Sequence, residues 1–308
     1  MNIFQQFKKA SRMSVIMVIL IPIALGAAGA YAWTGEIRWI PLLLSLIGGG
    51  AVHLFSNMIN DLWDFKNGAD GAAKETEGAI STNSGYLTNG VWSYRQFAAV
   101  TWTLFGIAAV CGIALVFMSG PLVWLFAGLG ALIAYFYVAP PLKLGYRGKG
   151  YSEIAILIAF GFLPVAGSYY VQTSEIDYRA VLLSLPIGLL TTLILFNHHF
   201  LHWKADRAAG KRTLVVVWGE RRALQFSRLL LLIAYICLIV CVLAGALPLY
   251  ALLGLLMIIP IYAVYNKLGA TNESVKYLPL MGAAVKSSTR CGLLMVAALL
   301  VQGLTEWL

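Results

Sequence analysis

The chain has 308 residues, of which 60% are hydrophobic and only 11% charged, and it carries a net charge of +9. That composition excludes an ordinary soluble domain, whose surface needs far more charge, and points to a polytopic membrane protein. The basic excess does not call for nucleic acid, because membrane topology accounts for it.

Apolar runs long enough to cross about 30 Å of hydrocarbon, which takes roughly 20 helical residues, recur about nine times. They centre on residues 13–33, 39–58, 96–118, 121–138, 153–172, 180–199, 223–244, 247–265 and 289–307. In lipid every backbone amide must be satisfied within its own segment, and the alternation of a barrel strand is missing, so the runs are read as helices. The predicted fold class is all-α, with residues 1–308 forming a single transmembrane domain. The first run follows Lys8, Lys9 and Arg12 without a small-residue cleavage site, so it is read as a retained helix.

Nine spans make the loops alternate sides. With the N-terminus in the cytoplasm, all 22 basic residues except Arg38 and Arg179 fall on the cytoplasmic side, as the positive-inside bias requires. This side also attracts anionic lipids and diphosphates. The four cysteines, Cys111, Cys237, Cys241 and Cys291, fall inside predicted spans without metal-binding spacing and read as packing residues.

The first polar constellation, Asn57-Met-Ile-Asn60-Asp61-Leu-Trp-Asp64-Phe-Lys-Asn-Gly68-Ala-Asp70, comes where the second run meets the cytoplasm. On a continuing helix Asn57, Asn60 or Asp61, and Asp64 share one face. Gly68 offers a stop after which Asp70 folds back. Such an oxygen-rich cluster suits Mg2+, which binds through one or two carboxylates together with substrate phosphates. The bland alternative is a set of acidic residues that solvates a helix end.

The fourth run ends in Pro140-Pro141-Leu-Lys143, and the consecutive prolines place Lys143 and Arg147 on a loop. Both are diphosphate candidates; both also read as ordinary topology charges.

The sixth run ends in Asn197-His198-His199-Phe-Leu-His202-Trp-Lys-Ala-Asp206-Arg-Ala-Ala-Gly210-Lys211-Arg212. There His198, His202 and Asp206 are successive i,i+4 neighbours. This face is predicted to meet the first one. Three histidines and an aspartate also suit a transition metal, or simply hydrogen-bond at a helix end. Lys211 and Arg212 could hold phosphate oxygens. Aromatics crowd these motifs, Trp63, Tyr135, Tyr137, Phe160 and Trp203 among them. Their rings could stabilise a cation or merely pack, and none is given a role of its own.

These motifs resemble those of the UbiA superfamily of intramembrane prenyltransferases, and more closely the branch that prenylates 1,4-dihydroxy-2-naphthoate. The resemblance spans nearly the whole chain and rests on Asn60-Asp61-x-x-Asp64-x-x-x-Gly68-x-Asp70, Pro140-Pro141-Leu-Lys143 and Asp206-Arg207-x-Ala-Gly210-Lys211-Arg212-Thr213-Leu214. It implies a helical bundle around a central cavity beneath cytoplasmic cap loops. In that cavity Mg2+ would be held by Asn60, Asp64, Asp70 and Asp206, with Asp61 beside them. Lys143, Arg147, Lys211 and Arg212 would face the diphosphate.

The sequence departs from the family pattern in the second motif. His202 stands where an aspartate is usual, and His198 and His199 stand where asparagines are usual. The segment Ser81-Thr-Asn-Ser-Gly85-Tyr86 also lacks an arginine that many relatives carry. Either the second metal is held differently, or the substrate or reaction has diverged.

The expected activity is Mg2+-dependent transfer of a prenyl group from a polyprenyl diphosphate to an aromatic, lipid-soluble acceptor such as a quinone precursor. Asp61, Asp64, Asp206 and His202 form the expected catalytic set, and His198, His199 or His202 takes a proton from the acceptor. The expected setting is a bacterial or archaeal cytoplasmic membrane, with lipids as further partners. The alternatives are a terpene cyclase of the same superfamily, in which the substrate's own double bond attacks, and a membrane transporter.

Overall fold

A computed structural model of the protein describes residues 2–67 and 84–307, and within them every regular element is helical. Helix α1 (Ile3–Ala10) opens on a reciprocal cap in which Asn2 accepts from the Gln5 backbone while Gln5 reaches back to Asn2. A 3-10 turn at Met13–Val15 leads into α2 (Met17–Thr34), which Gly35 stops at φ +76°. There follow α3 (Trp39–Lys66), α4 (Tyr94–Ser119), α5 (Val123–Phe136) and α6 (Tyr151–Thr173), the last with a π-helical segment at Ile158–Phe162. The second half holds α7 (Tyr178–Ala208), the short α8 (Leu214–Trp218), α9 (Glu220–Leu243), α10 (Ile258–Tyr265) and α11 (Leu278–Trp307).

Among the described residues seven helices are long and apolar enough to cross a membrane. The predicted runs at 121–138 and 247–265 correspond to shorter apolar helices, Val123–Phe136 and Leu249–Tyr265. The second of these begins as a 3-10 helix at Leu249–Met257, which rises about 2.0 Å per residue. It therefore reaches roughly 30 Å despite its few residues. Two predicted boundaries also move. Helix α7 runs on to Ala208 and α11 starts at Leu278, because hydropathy marks only the apolar part of a helix whose end is polar.

The main core joins α2, α7, α9 and α11 around Leu25, Leu190, Phe196, Leu238 and Met295. A second cluster packs α3 on α4 through Phe55, Met58 and Phe97. Small residues set the closest approaches. A Cβ on Gly26 of α2 would lie 2.2 Å from the Val165 carbonyl oxygen and 3.0 Å from Ser168 Cβ, both on α6. Because one of those neighbours is backbone, Gly26→Ala must push the helices apart. It is expected to lower the unfolding temperature in detergent by the equivalent of about 1–3 kcal/mol.

One end of the bundle is closed by the two basic residues set apart in the topology. Arg38 donates to the carbonyl oxygens of Met118 and Val171, where α4 and α6 finish. Arg179 pairs with Asp177 and stacks 4.2 Å above the Trp33 ring. The polar constellations lie at the other end.

Candidate active site

A cavity of about 630 Å³ opens between α2, α3, α5, α6, α7 and α11. On one wall α3 presents Asn57, Asn60, Asp61 and Asp64; on another α7 presents His198, His199, His202 and Asp206. The two faces predicted to meet thus line one space. Helical spacing gathers the α3 residues on one face, because residues three and four apart lie together, and the packing of the bundle brings that face to α7.

The α3 residues differ in what they hold. Asn60 Oδ1 is buried with no partner among the described residues. Asp64 accepts a hydrogen bond from the Tyr146 phenol. Asp61 has both oxygens engaged, one by the Arg12 guanidinium and the other by the Ser84 backbone N–H at 3.0 Å. It therefore ties together the N-terminal segment, α3 and the start of the chain before α4. Asp70 and Gly68 lie outside the described residues, as do residues 81–83 of the segment without the arginine.

On α7 the helix is not continuous through the motif. His202 has φ −136° and ψ 16°, so the chain kinks there. The rings of His198 and His202 still meet edge to face, 4.7 Å apart. His202 Nε2 lies 3.4 Å from Asp206 Oδ2 without the alignment of a hydrogen bond, and both His199 Nδ1 and His202 Nδ1 are buried without partners among the described residues. Beyond Ala208 the chain turns at Gly210, φ +73°, and the Lys211 N–H donates back to the Asp206 carbonyl oxygen at 2.8 Å. A non-glycine residue would be strained in that turn. The turn brings Lys211 Nζ to 3.7 Å from Asp206 Oδ1.

Of the four predicted basic contacts only Lys211 lines the cavity. Arg147 donates to the Pro141 carbonyl oxygen at 3.0 Å, and Lys143 Nζ sits 5.7 Å above the Tyr146 ring. The Arg212 N–H donates to the Tyr146 carbonyl oxygen at 3.0 Å. These contacts pack the loop after α5 onto the turn after α7 and hold Tyr146 over Asp64.

Lys8, Lys9 and Arg12 at the N-terminus also line the cavity, although sequence reasoning read them as topology anchors. Nothing in their spacing signals it, since α1 ends at Ala10 and Arg12 lies beyond it with φ +52°. Tyr137 lines the cavity too, its hydroxyl buried and unpartnered among the described residues.

Asn60, Asp64 and Asp206 supply an oxygen donor set suited to a hard divalent cation, and two buried oxygens, Asn60 Oδ1 and Asp206 Oδ2, lack hydrogen-bond partners among the described residues. Among the described residues no three His, Cys, Asp or Glu side chains converge on one point. That fits Mg2+, which seldom uses an all-protein cage and completes its shell with water and phosphate oxygens. The imidazole of His202 offers nitrogen, which suits softer metals better than such an ion.

Comparison with known proteins accords with this geometry. The UbiA prenyltransferase family profile matches residues 19–304. A 2-carboxy-1,4-naphthoquinone phytyltransferase of Synechocystis sp. is 30% identical over 240 residues, covering 77% of this chain and 73% of that protein. A 1,4-dihydroxy-2-naphthoate octaprenyltransferase of Escherichia coli is 28% identical over 242 residues, with 76% and 75% covered. Among solved structures, a UbiA homologue from Archaeoglobus fulgidus bound to DMAPP and Mg2+ superposes with a TM-score of 0.66 at 17% identity, over 95% of this chain and 99% of that one.

Proposed function

This chain belongs to the UbiA prenyltransferase family, and from that premise we propose that it transfers a prenyl group from a polyprenyl diphosphate to 1,4-dihydroxy-2-naphthoate or a closely similar aromatic acceptor. The observation that carries this reading is the single cavity onto which the Asn60–Asp64 and His202–Asp206 faces both open, with an apolar floor of Val52, Ile133, Ile194 and Leu195 beneath them. Charge at the top and hydrocarbon below match the two ends of an allylic diphosphate.

Asn60, Asp64 and Asp206, with Asp70 assigned from the sequence alone, would hold Mg2+, whose charge makes the diphosphate a better leaving group. Lys211 and the N-terminal Lys8, Lys9 and Arg12 offer charged donors to phosphate oxygens, and Tyr137 offers a neutral one. Lys143, Arg147 and Arg212 act by positioning Tyr146 and the turn that carries Lys211. The apolar floor holds the prenyl tail and keeps water from the allylic cation. A ring carbon of the acceptor forms the new C–C bond. The ring then loses a proton to His202, whose Nδ1 is unpartnered among the described residues and whose Nε2 lies beside Asp206. The mouth faces the cytoplasm, since among the described basic residues only Arg38 and Arg179 lie at the opposite end.

The test is protein in lipid with labelled geranylgeranyl diphosphate, with and without 1,4-dihydroxy-2-naphthoate. Diphosphate release is expected to require the naphthoate, to yield a prenylated product by mass, and to stop with EDTA and resume with added Mg2+. Release without acceptor, giving a hydrocarbon, would establish the cyclase instead. No release with any allylic diphosphate would overturn both readings.

A further inference from the structure

All four histidines of the sequence line the same cavity, and His53 is the one outside the second motif. It sits on α3 two turns before Asn60, about 10 Å deeper along the helix. The side chain is 6% exposed, and Nδ1 has no partner among the described residues. Asn57 settles which nitrogen carries the proton. Its Nδ2 donates to the Ser11 carbonyl oxygen at 3.0 Å and lies 3.4 Å from His53 Nε2. An amide nitrogen only donates, so Nε2 accepts and Nδ1 bears the hydrogen.

The imidazole is also held in place. The Phe160 ring meets it edge-on at 5.5 Å and 87°. Phe160 belongs to the π-helical segment, whose Gly161 packs so closely on α7 that a Cβ there would come 2.8 Å from Gly188 Cα. π-Helical segments recur at functional sites because they re-aim one side chain without breaking the helix. Its neighbours in the lining on α3 are Val52, Ser56 and Asn57, and the hydroxyl of Thr191 on α7 is already bonded to the Ile187 carbonyl oxygen. A buried N–H donor is therefore left without a protein partner among the described residues, a costly arrangement unless a ligand supplies the acceptor. The prenyl tail carries no oxygen, and the diphosphate belongs two turns higher. The remaining component with oxygens at that depth is the aromatic ring.

We propose that His53 is the acceptor-recognition residue: its Nδ1–H donates a hydrogen bond to a hydroxyl oxygen of the aromatic acceptor, whose ring packs beside Phe160 with its reactive carbon toward the diphosphate end. This rests on the prenyltransferase reading above. The contact orients the ring, so that the attacking carbon is presented at a productive distance from the allylic carbon.

The experiment compares wild type, His53→Ala and His53→Asn in lipid, measuring KM for 1,4-dihydroxy-2-naphthoate and for geranylgeranyl diphosphate separately. Quenching of tryptophan fluorescence by 1-hydroxy-2-naphthoate is read alongside as binding without turnover. His53→Ala is expected to raise the acceptor KM and the naphthoate dissociation constant about 10-fold or more, leaving the diphosphate KM within about twofold. His53→Asn, whose amide N–H falls near the Nδ1 position, is expected to restore most of the loss. Equal shifts in both KM values, or no shift in the acceptor KM of an active enzyme, would overturn the proposal. Should wild type bind the naphthoate in a His53-dependent way yet form no product, His53 recognition stands and the transferase reading falls. No binding and no turnover by wild type would remove both.

Discussion

Asp64→Ala is expected to lower kcat for diphosphate release by about 10²–10³-fold or more, the scale seen when a group that stabilises transition-state charge is removed from an enclosed site. The fold should survive. Asp64 is only partly buried and accepts a hydrogen bond from Tyr146, a neutral donor, so its loss should cost about 1 kcal/mol of stability. Asp64→Asn separates the two roles. It keeps an oxygen for Tyr146 but removes the negative charge, and should therefore unfold like wild type while remaining nearly as inactive as the alanine variant. Tyr146→Phe is the converse, leaving the charge and removing the hydrogen bond that orients it; a loss of only about 10-fold is expected. Steady-state rates at saturating Mg2+, with unfolding in detergent measured on the same preparations, check all three. An active Asp64→Asn enzyme would show that the residue acts through its hydrogen bond to Tyr146 and not through charge.

The central juxtaposition was legible in the sequence because it depends on local spacing. Asn60 and Asp64 must share one face of α3, and Asp206 ends a helix of its own, so only the approach of the two helices was open. Contacts that depend on the path of a loop were not legible. Lys143, Arg147 and Arg212 look like diphosphate ligands until the course of the chain shows Arg147 on the Pro141 carbonyl and Lys143 over Tyr146. Lys8, Lys9 and Arg12 look like topology charges because nothing in their spacing says that the segment before α2 folds back to the cavity. His53 hides in an apolar run for a similar reason: from sequence, a single histidine there reads as a packed one, and only the unpartnered Nδ1 distinguishes it. The kink at His202 is equally silent, since neither proline nor glycine marks it.

Arg12→Ala is expected to be the most destabilising of the charge removals, at about 3 kcal/mol, because it leaves a buried carboxylate without its cation. Exposure decides the direction of the asymmetry. The Asp61 side chain is 5% exposed and that of Arg12 29%, so the guanidinium can be wetted when its partner is lost, whereas the carboxylate cannot. Asp61→Asn should therefore cost less, the more so because an amide oxygen can still accept from the Ser84 N–H. Arg12→Ala combined with Asp61→Asn should cost well below the sum, with a coupling of about 1–3 kcal/mol in a double-mutant cycle read by unfolding in detergent. The pair has company. Arg12 also donates to the Asn57 carbonyl oxygen at 3.2 Å, while the Asn57 amide donates to the Ser11 carbonyl oxygen, so three contacts clip the N-terminal segment onto α3. Through that clip Lys8 and Lys9 reach the cavity mouth, and Arg12→Ala should accordingly raise the KM for the prenyl diphosphate about 10-fold in the protein that remains folded. Arg12→Lys keeps the charge but not the forked geometry that engages Asp61 and Asn57 together, and should recover only part of either loss. If instead Arg12→Ala weakened diphosphate binding without lowering the unfolding temperature, the arginine would serve the substrate alone and Asp61 would have to be satisfied from elsewhere, most directly by water entering the cavity from its mouth.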